Sequence, residues 1–468
     1  MNALFRGDTD SRRLVALAAP IAGTQLAQVA VSTTNIALMG TLGVREVAAG
    51  GLALVLFNQI RTMCVGLITA TGNQVASAVS RAEQRRGFAE VEIRDILRTG
   101  FLIATVSALL GGAVLVASGW VLQWLGQDAG VLAAARPLLI ALAPGLLPCL
   151  WFQVLRQYTV GMRRPQALLV VTLGSVVLNV ALALPLMHGW AGLPALGLTG
   201  IGIATTLVLT VSCVVLALMV TRDPQLNATL PLWMWPVRRE TLCTELRLGT
   251  PIALTYGSEA GLFSVLALVM GALGPAALAA HNIVYQLVYI VFQVAIGLSH
   301  GVSILVSRAV ARYEFRAART LAAIALRQAA LITTLVGVLY VAAPDTVLQP
   351  LLTDRDPTTV ATARGLLPIA VVLQFFDAAQ NIGNGLLRGV QETAAGFRLS
   401  LVGYWIVGLP TALALAFPAG LGAAGVWWGL TAGLAVTAGL MLRRYRTLID
   451  RRVRTRPRVL ADSMPGPP

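Results

Sequence analysis

Lysine is missing from the 468 residues; all 35 basic side chains are arginine. Charge of either sign is scarce, 12% of residues, where a soluble domain carries about 25%. That excludes an ordinary water-soluble domain. Cysteine is nearly absent. Cys64, Cys149, Cys213 and Cys243 form no CxxC, and three of them lie inside apolar runs, which excludes a disulfide framework and a thiolate metal site. His188, His281 and His300 are too scattered to form a metal constellation. No GxxxxGK[ST] loop and no nucleophile motif occurs, so neither ATP hydrolysis nor other enzymatic chemistry is expected, and no cofactor. What the chain does have is apolar side chains: 57% of residues, with a mean hydropathy of +0.77.

A helix crosses the hydrocarbon core with roughly 20 apolar residues. Runs of that size occupy residues 14–39, 47–79, 96–119, 131–160, 166–188, 193–220, 249–273, 277–306, 321–343, 358–387, 395–417 and 420–441. They are too long and too continuous for the alternating strands of a membrane barrel. The first lacks a small-residue cleavage site, so it reads as a membrane helix and not a signal peptide. The expected fold is an all-α membrane protein with twelve transmembrane helices.

The net charge of +15 could mark a nucleic-acid binder, but its placement says otherwise. Arginines gather in every second connection: Arg81, Arg85, Arg86 and Arg94; Arg163 and Arg164; Arg222, Arg238, Arg239 and Arg247; Arg308, Arg312, Arg316 and Arg319; Arg388; and Arg443, Arg444, Arg446, Arg451 and Arg452. The alternate connections hold only Arg45, Arg136 and Arg355. This is the positive-inside bias of a multi-pass protein of the bacterial inner membrane, with both termini cytoplasmic. The basicity is topological, and no nucleic-acid partner follows from it. The Arg/Pro-rich tail, residues 447–468, is expected to be disordered.

One long polar connection, Arg222 to Arg247, divides the helices six and six. Shifting the sequence against itself by 231 residues lays Leu17, Pro20, Ile21, Ala22 and Thr24 on Leu248, Pro251, Ile252, Ala253 and Thr255. Met39, Gly40, Leu42 and Gly43 fall on Met270, Gly271, Leu273 and Gly274. Duplication explains that shared order. With six helices each, both halves start in the cytoplasm and form a parallel repeat, an architecture that places substrate sites near mid-depth. The expected organisation is an N-terminal six-helix lobe (1–221), a cytoplasmic linker (222–248) and a C-terminal six-helix lobe (249–446).

Two acids interrupt the apolar helices. Glu259 lies twelve residues past Arg247, about 18 Å of helix rise, and Asp377 eleven before Arg388, about 16 Å. Both therefore sit near mid-membrane at matching height. An ionised carboxylate there costs at least ~2.5–3.5 kcal/mol, so stability gives no reason to keep it. Two carboxylates at one depth can share a proton or a cation; the plainer alternative is a neutral acid hydrogen-bonded in helix packing. Asp377, Asn381, Asn384 and Arg388 form a polar stripe, as do Asn282, Gln286, Tyr289 and Gln293. Such stripes either line a wet cavity or bind helices together at about 0.6 kcal/mol per bond. Tyr256, one turn before Glu259, suits a carboxylate or a flat substrate equally with plain packing. Arg61 is also at mid-depth, and either pairs with an acid, attracts an anionic part of a substrate, or snorkels.

These residues resemble those of the multidrug and toxic compound extrusion (MATE) family, in its bacterial NorM-like branch. The resemblance rests on TNIALMG in the first helix, MRRPQALLVVTLGSVVLNVALALPL and GLPALGLTGIGIAT in the first half, and GTPIALTYGSEAGLF, LAAHNI and DAAQNIGNGLLRG in the second. It implies two lobes that alternate between inward and outward openings, exporting small-molecule drugs or toxic metabolites by antiport with Na⁺ or H⁺, as a monomer in the bilayer. By position it implies cation coupling at Glu259 and Asp377, a partner role for Gln380, and an outer acid at Asp356, which a helix cap would equally explain. Where the family has an acid in the first helix this chain has Asn35, and Gln28 falls opposite Glu259, so coupling is expected in the C-terminal lobe. The rivals are a lipid-linked precursor flippase of the same superfamily, a major-facilitator transporter and a membrane transferase. The first calls for a cavity richer in arginine, the second for a GxxxDRxGRR loop, and the third for interfacial acids.

Overall fold

The structure is a computed structural model that describes residues 2–85, 87, 89–124, 129–190, 194–231, 235–351 and 356–462. Arg86, Arg355 and residues 463–468 lie outside that set. Among the described residues twelve helices are long and apolar enough to cross a membrane, and there is no strand. They are α1 (Ser11–Gly40), α2 (Arg45–Gln84), α3 (Glu90–Gln123), α4 (Ala129–Gly161), α5 (Ala167–His188), α6 (Gly197–Arg222), α7 (Arg239–Leu273), α8 (Pro275–Ala311), α9 (Phe315–Ala342), α10 (Pro357–Gly389), α11 (Thr393–Ala416) and α12 (Gly422–Arg454). The chain is a multi-pass membrane protein.

Two compact units result, and their boundary does not fall in the 222–248 connection. The N-unit is Gly23–Gly257; the C-unit joins Met1–Ala22 to Ser258–Pro468. The first halves of α1 and α7 thus pack away from the lobes expected for them. Small residues make this possible. A Cβ on Gly297 of α8 would lie 2.7 Å from the Ala22 Cβ, and one on Gly66 of α2 only 2.5 Å from the Ala253 Cα. These two crossings are related by the same 231-residue shift that the sequence shows. Pro20 and Pro251 inside α1 and α7, and Pro137 and Pro368 inside α4 and α10, repeat it again.

Each unit is organised around one central helix. In the N-unit α4 packs on α2, α3 and α6; in the C-unit α10 packs on α8, α9 and α12. Several polar side chains on α4 and α10 are enclosed by protein as a result, Gln153, Arg156, Asp377, Gln380 and Asn381 among them.

Two boundaries differ from expectation. The helix of α7 begins at Arg239 and not at 249, because its first turns carry Glu240, Glu245 and Arg247, which hydropathy discounts but a helix accepts. The tail expected to be disordered from 447 is helical to Asp462. Its first part is tied down: the Tyr445 hydroxyl donates to the Ala318 carbonyl (2.9 Å), Ile449 is buried, and Asp450 pairs with Arg319 (3.6 Å).

Candidate functional site

The C-unit brings both predicted acids together. Asp377 on α10 is 5% exposed, and the Asn381 amide donates to its Oδ1 (3.1 Å) and to its backbone carbonyl (2.9 Å). Glu259 on α7 is half-buried and close enough for the two charges to repel each other. Tyr285 and Tyr404 sit in the field of both. The fully buried Gln380 donates to the Tyr404 hydroxyl (2.6 Å), and beside Glu259 the Trp405 indole donates to Ser258 Oγ (2.8 Å). Asp377 also lines a narrow crevice, with room for about one water molecule, between α8, α9 and α10, with Thr333, Gln374 and Phe292. Two carboxylates that repel each other, one buried and one half-buried, attract a proton or a metal cation, which relieves that repulsion.

Aromatic rings run along α8 next to these acids. His281, Tyr285, Tyr289 and Phe292 stack in sequence at centroid distances of 5.9, 6.0 and 6.0 Å, and Phe263 meets Tyr285 at 5.0 Å. Ring faces next to carboxylates suit a flat organic cation.

The other predicted residues separate. On α8, Asn282 is exposed, Gln286 half-buried and Gln293 buried, so that polar stripe does not face one environment. Asn384 is half-buried, with its Oδ1 beside Gly396 of α11. Tyr256 belongs to the N-unit, where it packs on Ala70, Leu248 and Ile252, while Glu259 belongs to the C-unit. Asn35 is buried in the N-unit too: it accepts from the Asn179 amide (2.7 Å) and donates to Thr205 Oγ1 (3.2 Å). Arg61 reaches Cys149. Asp356 is the N-cap of α10. Its carboxylate accepts from the Thr358 hydroxyl and from the Thr359 backbone and hydroxyl (3.0 and 2.9 Å), and these bonds hold its pKa below the usual carboxylate range. Capping is the reading this geometry favours for it.

Three features escaped the sequence reading. Tyr285 has a signal, the i, i+4, i+8, i+11 aromatic spacing on α8. Tyr404 has none, because it lies in a π-helical segment, Val402–Gly408, that shifts the register of α11. Glu245 is fully buried, with Oε2 accepting from Thr71 Oγ1 (3.3 Å) and Oε1 without a partner; its place among the arginines of the 222–247 connection disguised it.

The family model MatE matches the chain twice, over residues 20–184 and 251–414, one match on each half of the repeat. The chain belongs to the MatE family. A probable multidrug resistance protein NorM of Pseudomonas aeruginosa is 35% identical over 437 residues, 92% of this chain and 88% of the relative. One of Bradyrhizobium diazoefficiens is 36% identical over 93% of each. Among solved structures, an outward-facing multidrug resistance MATE transporter superposes with TM-score 0.87 at 17% identity, covering 95% of this chain and 97% of the other. A eukaryotic MATE transporter gives 0.83 at 19%, over 95% and 99%. At those identities the structures speak for the fold, and the MatE fold is what the two halves share.

Proposed function

We propose that this MatE-family chain is a multidrug exporter that expels amphipathic organic compounds across the bacterial inner membrane in exchange for Na⁺ or H⁺. Its termini are cytoplasmic and it works as a monomer. The observation that carries this reading is the pair Glu259 and Asp377, held as electrostatic neighbours within one unit. A cation or proton on that pair changes the charge of the C-unit interior. Occupancy thereby biases one arrangement of the transporter over the other, as any ligand with differential affinity does. The ring ladder on α8 supplies a surface for the aromatic body of a substrate. The relatives' names favour drug efflux over flipping of a lipid-linked precursor.

The test is efflux of a fluorescent cationic dye from vesicles holding the purified protein, with Na⁺ and H⁺ gradients imposed separately. Glu259→Gln and Asp377→Asn should reduce gradient-driven efflux to background while dye binding persists. Undiminished gradient-driven efflux in both variants would end the coupling assignment. Lipid scrambling in place of dye efflux would end the exporter reading.

A further inference from the structure

The N-unit has a buried polar centre of its own, and it is basic. Arg156 on α4 is 5% exposed and donates through one guanidinium nitrogen to Gln25 Oε1 (3.0 Å) and Gln153 Oε1 (3.4 Å). Its electrostatic neighbours are Tyr256 and a second guanidinium, that of Arg61. Arg61 on α2 reaches Cys149 on α4, and its Nε is buried without a hydrogen-bond partner. Neither arginine is in an ion pair among the described residues. Gln25 and Gln153 solvate Arg156 but carry no charge. Two neighbouring positive charges inside a helix bundle are unfavourable unless a negative group joins them.

The internal repeat shows what stands where the C-unit has its acids. A Cβ on Gly161, ending α4, would meet the Gly72 carbonyl at 2.8 Å and Val75; one on Gly389, ending α10, would meet the Ser303 carbonyl at 2.9 Å and Val306. Both chains then turn through a residue of positive φ, Arg163 (62°) and Gln391 (64°). Counting back from these glycines puts Cys149 opposite Asp377, Gln153 opposite Asn381 and Arg156 opposite Asn384. The 231-residue shift puts Gln28 opposite Glu259. Both acid positions of the C-unit are thus neutral in the N-unit, and two guanidiniums occupy the same neighbourhood.

We propose that Arg61 and Arg156 form a binding site for the carboxylate of an exported organic compound. Zwitterions, which join a carboxylate to a cationic aromatic body, then become the favoured substrate class. Guanidinium groups are suited to this, because their planar donors match the two oxygens of a carboxylate. The half-buried side chain of Arg61 keeps part of its surface within reach of a ligand. The inference rests on the export reading above and specifies its substrate.

The test uses rhodamine B, which carries a free carboxylate on a cationic xanthene, and its ethyl ester, which keeps the cation and loses the carboxylate. Binding to the purified full-length protein is followed by fluorescence polarisation, and efflux in vesicles. The wild type should bind rhodamine B about tenfold more tightly than the ester, the usual worth of a charge-assisted pair. Arg61→Gln and Arg156→Gln should each shrink that ratio towards one. Equal affinities in the wild type overturn the proposal, as does a preference that survives both substitutions in folded protein. If the variants do not fold, thermal unfolding of the wild type decides: a larger rise with rhodamine B than with the ester supports the site, and an equal or smaller rise overturns it. Efflux of the ester with no preference for rhodamine B removes this inference and leaves export standing. Efflux of neither dye under either gradient counts against export, and the unfolding comparison still judges the carboxylate site.

Discussion

At corresponding turns of α4 and α10, Gln153 accepts a hydrogen bond from a guanidinium while Asn381 donates one to a carboxylate. The two units share a frame: the same prolines, the same glycine crossings, the same central helix. They differ in the charges placed around these turns: Glu259 and Asp377 in the C-unit, Arg61 and Arg156 with the neutral Asn35 in the N-unit, while Arg308 and Arg388 are buried elsewhere in the C-unit and Asp95 and Glu245 elsewhere in the N-unit. Backbone architecture and site chemistry are therefore carried by separate residues. Duplication preserved the first, and a few side chains reassigned the second.

If coupling resides in the C-unit, its loss is the largest effect: Asp377→Asn or Glu259→Gln stops gradient-driven efflux. Restoring an acid in the other unit should not create a second coupling site. Asn35 donates to Thr205 Oγ1, and the Thr205 hydroxyl already gives its own proton to the Ile201 carbonyl (2.9 Å). A carboxylate at 35 would face that oxygen with no proton between them. Asn35→Asp should therefore lower stability by about 1–3 kcal/mol, the cost of an unmet buried hydrogen bond, read as a lower unfolding temperature in detergent. An unchanged unfolding temperature together with a higher ion-to-substrate ratio would show that the N-unit can couple, and the contrast between units would fail.

The helix count, the repeat and the acidic pair were legible because each leaves a one-dimensional trace: apolar length, a fixed offset, and a charge where lipid should be. The unit boundary was not. Ala22 and Ala253 look like any small residues until Gly297 and Gly66 are seen against them. Tyr256 was read with Glu259 because they are one helical turn apart, yet the division at Gly257 and Ser258 puts them in different units. Arg156 lies about two helical turns before the Arg163–Arg164 connection, and its burial on α4 becomes visible only in the fold. Sequence spacing reports the helix face; it does not report which helix comes to meet that face.

The shared frame can be challenged more gently through its crossings. Gly66→Val and Gly297→Val each insert a branched side chain where the facing helix leaves no room for a Cβ. Overpacking of this kind costs roughly 1–3 kcal/mol, and the shared geometry predicts similar losses of thermal stability in the two variants. A large loss for one and none for the other would mean that the crossings are alike in sequence but not in the work they do.

The smallest effect concerns Asp356, an acid at the exposed N-terminus of α10. Asp356 caps α10, and its hydrogen bonds from Thr358 and Thr359 favour the ionised form in the folded state. A carboxyl whose folded pKa is depressed adds stability above its unfolded value, near 4, and loses it as pH falls through the folded value. Asp356→Ala should therefore lower the unfolding temperature slightly at neutral pH, with the difference from wild type closing in acid. Asp356→Asn should restore most of it, since asparagine also caps helices well. Efflux should be retained in both. If Asp356→Asn instead removed gradient-driven efflux at full stability, the coupling machinery would extend to the outer edge of α10, and the C-unit would hold a third acid in its circuit.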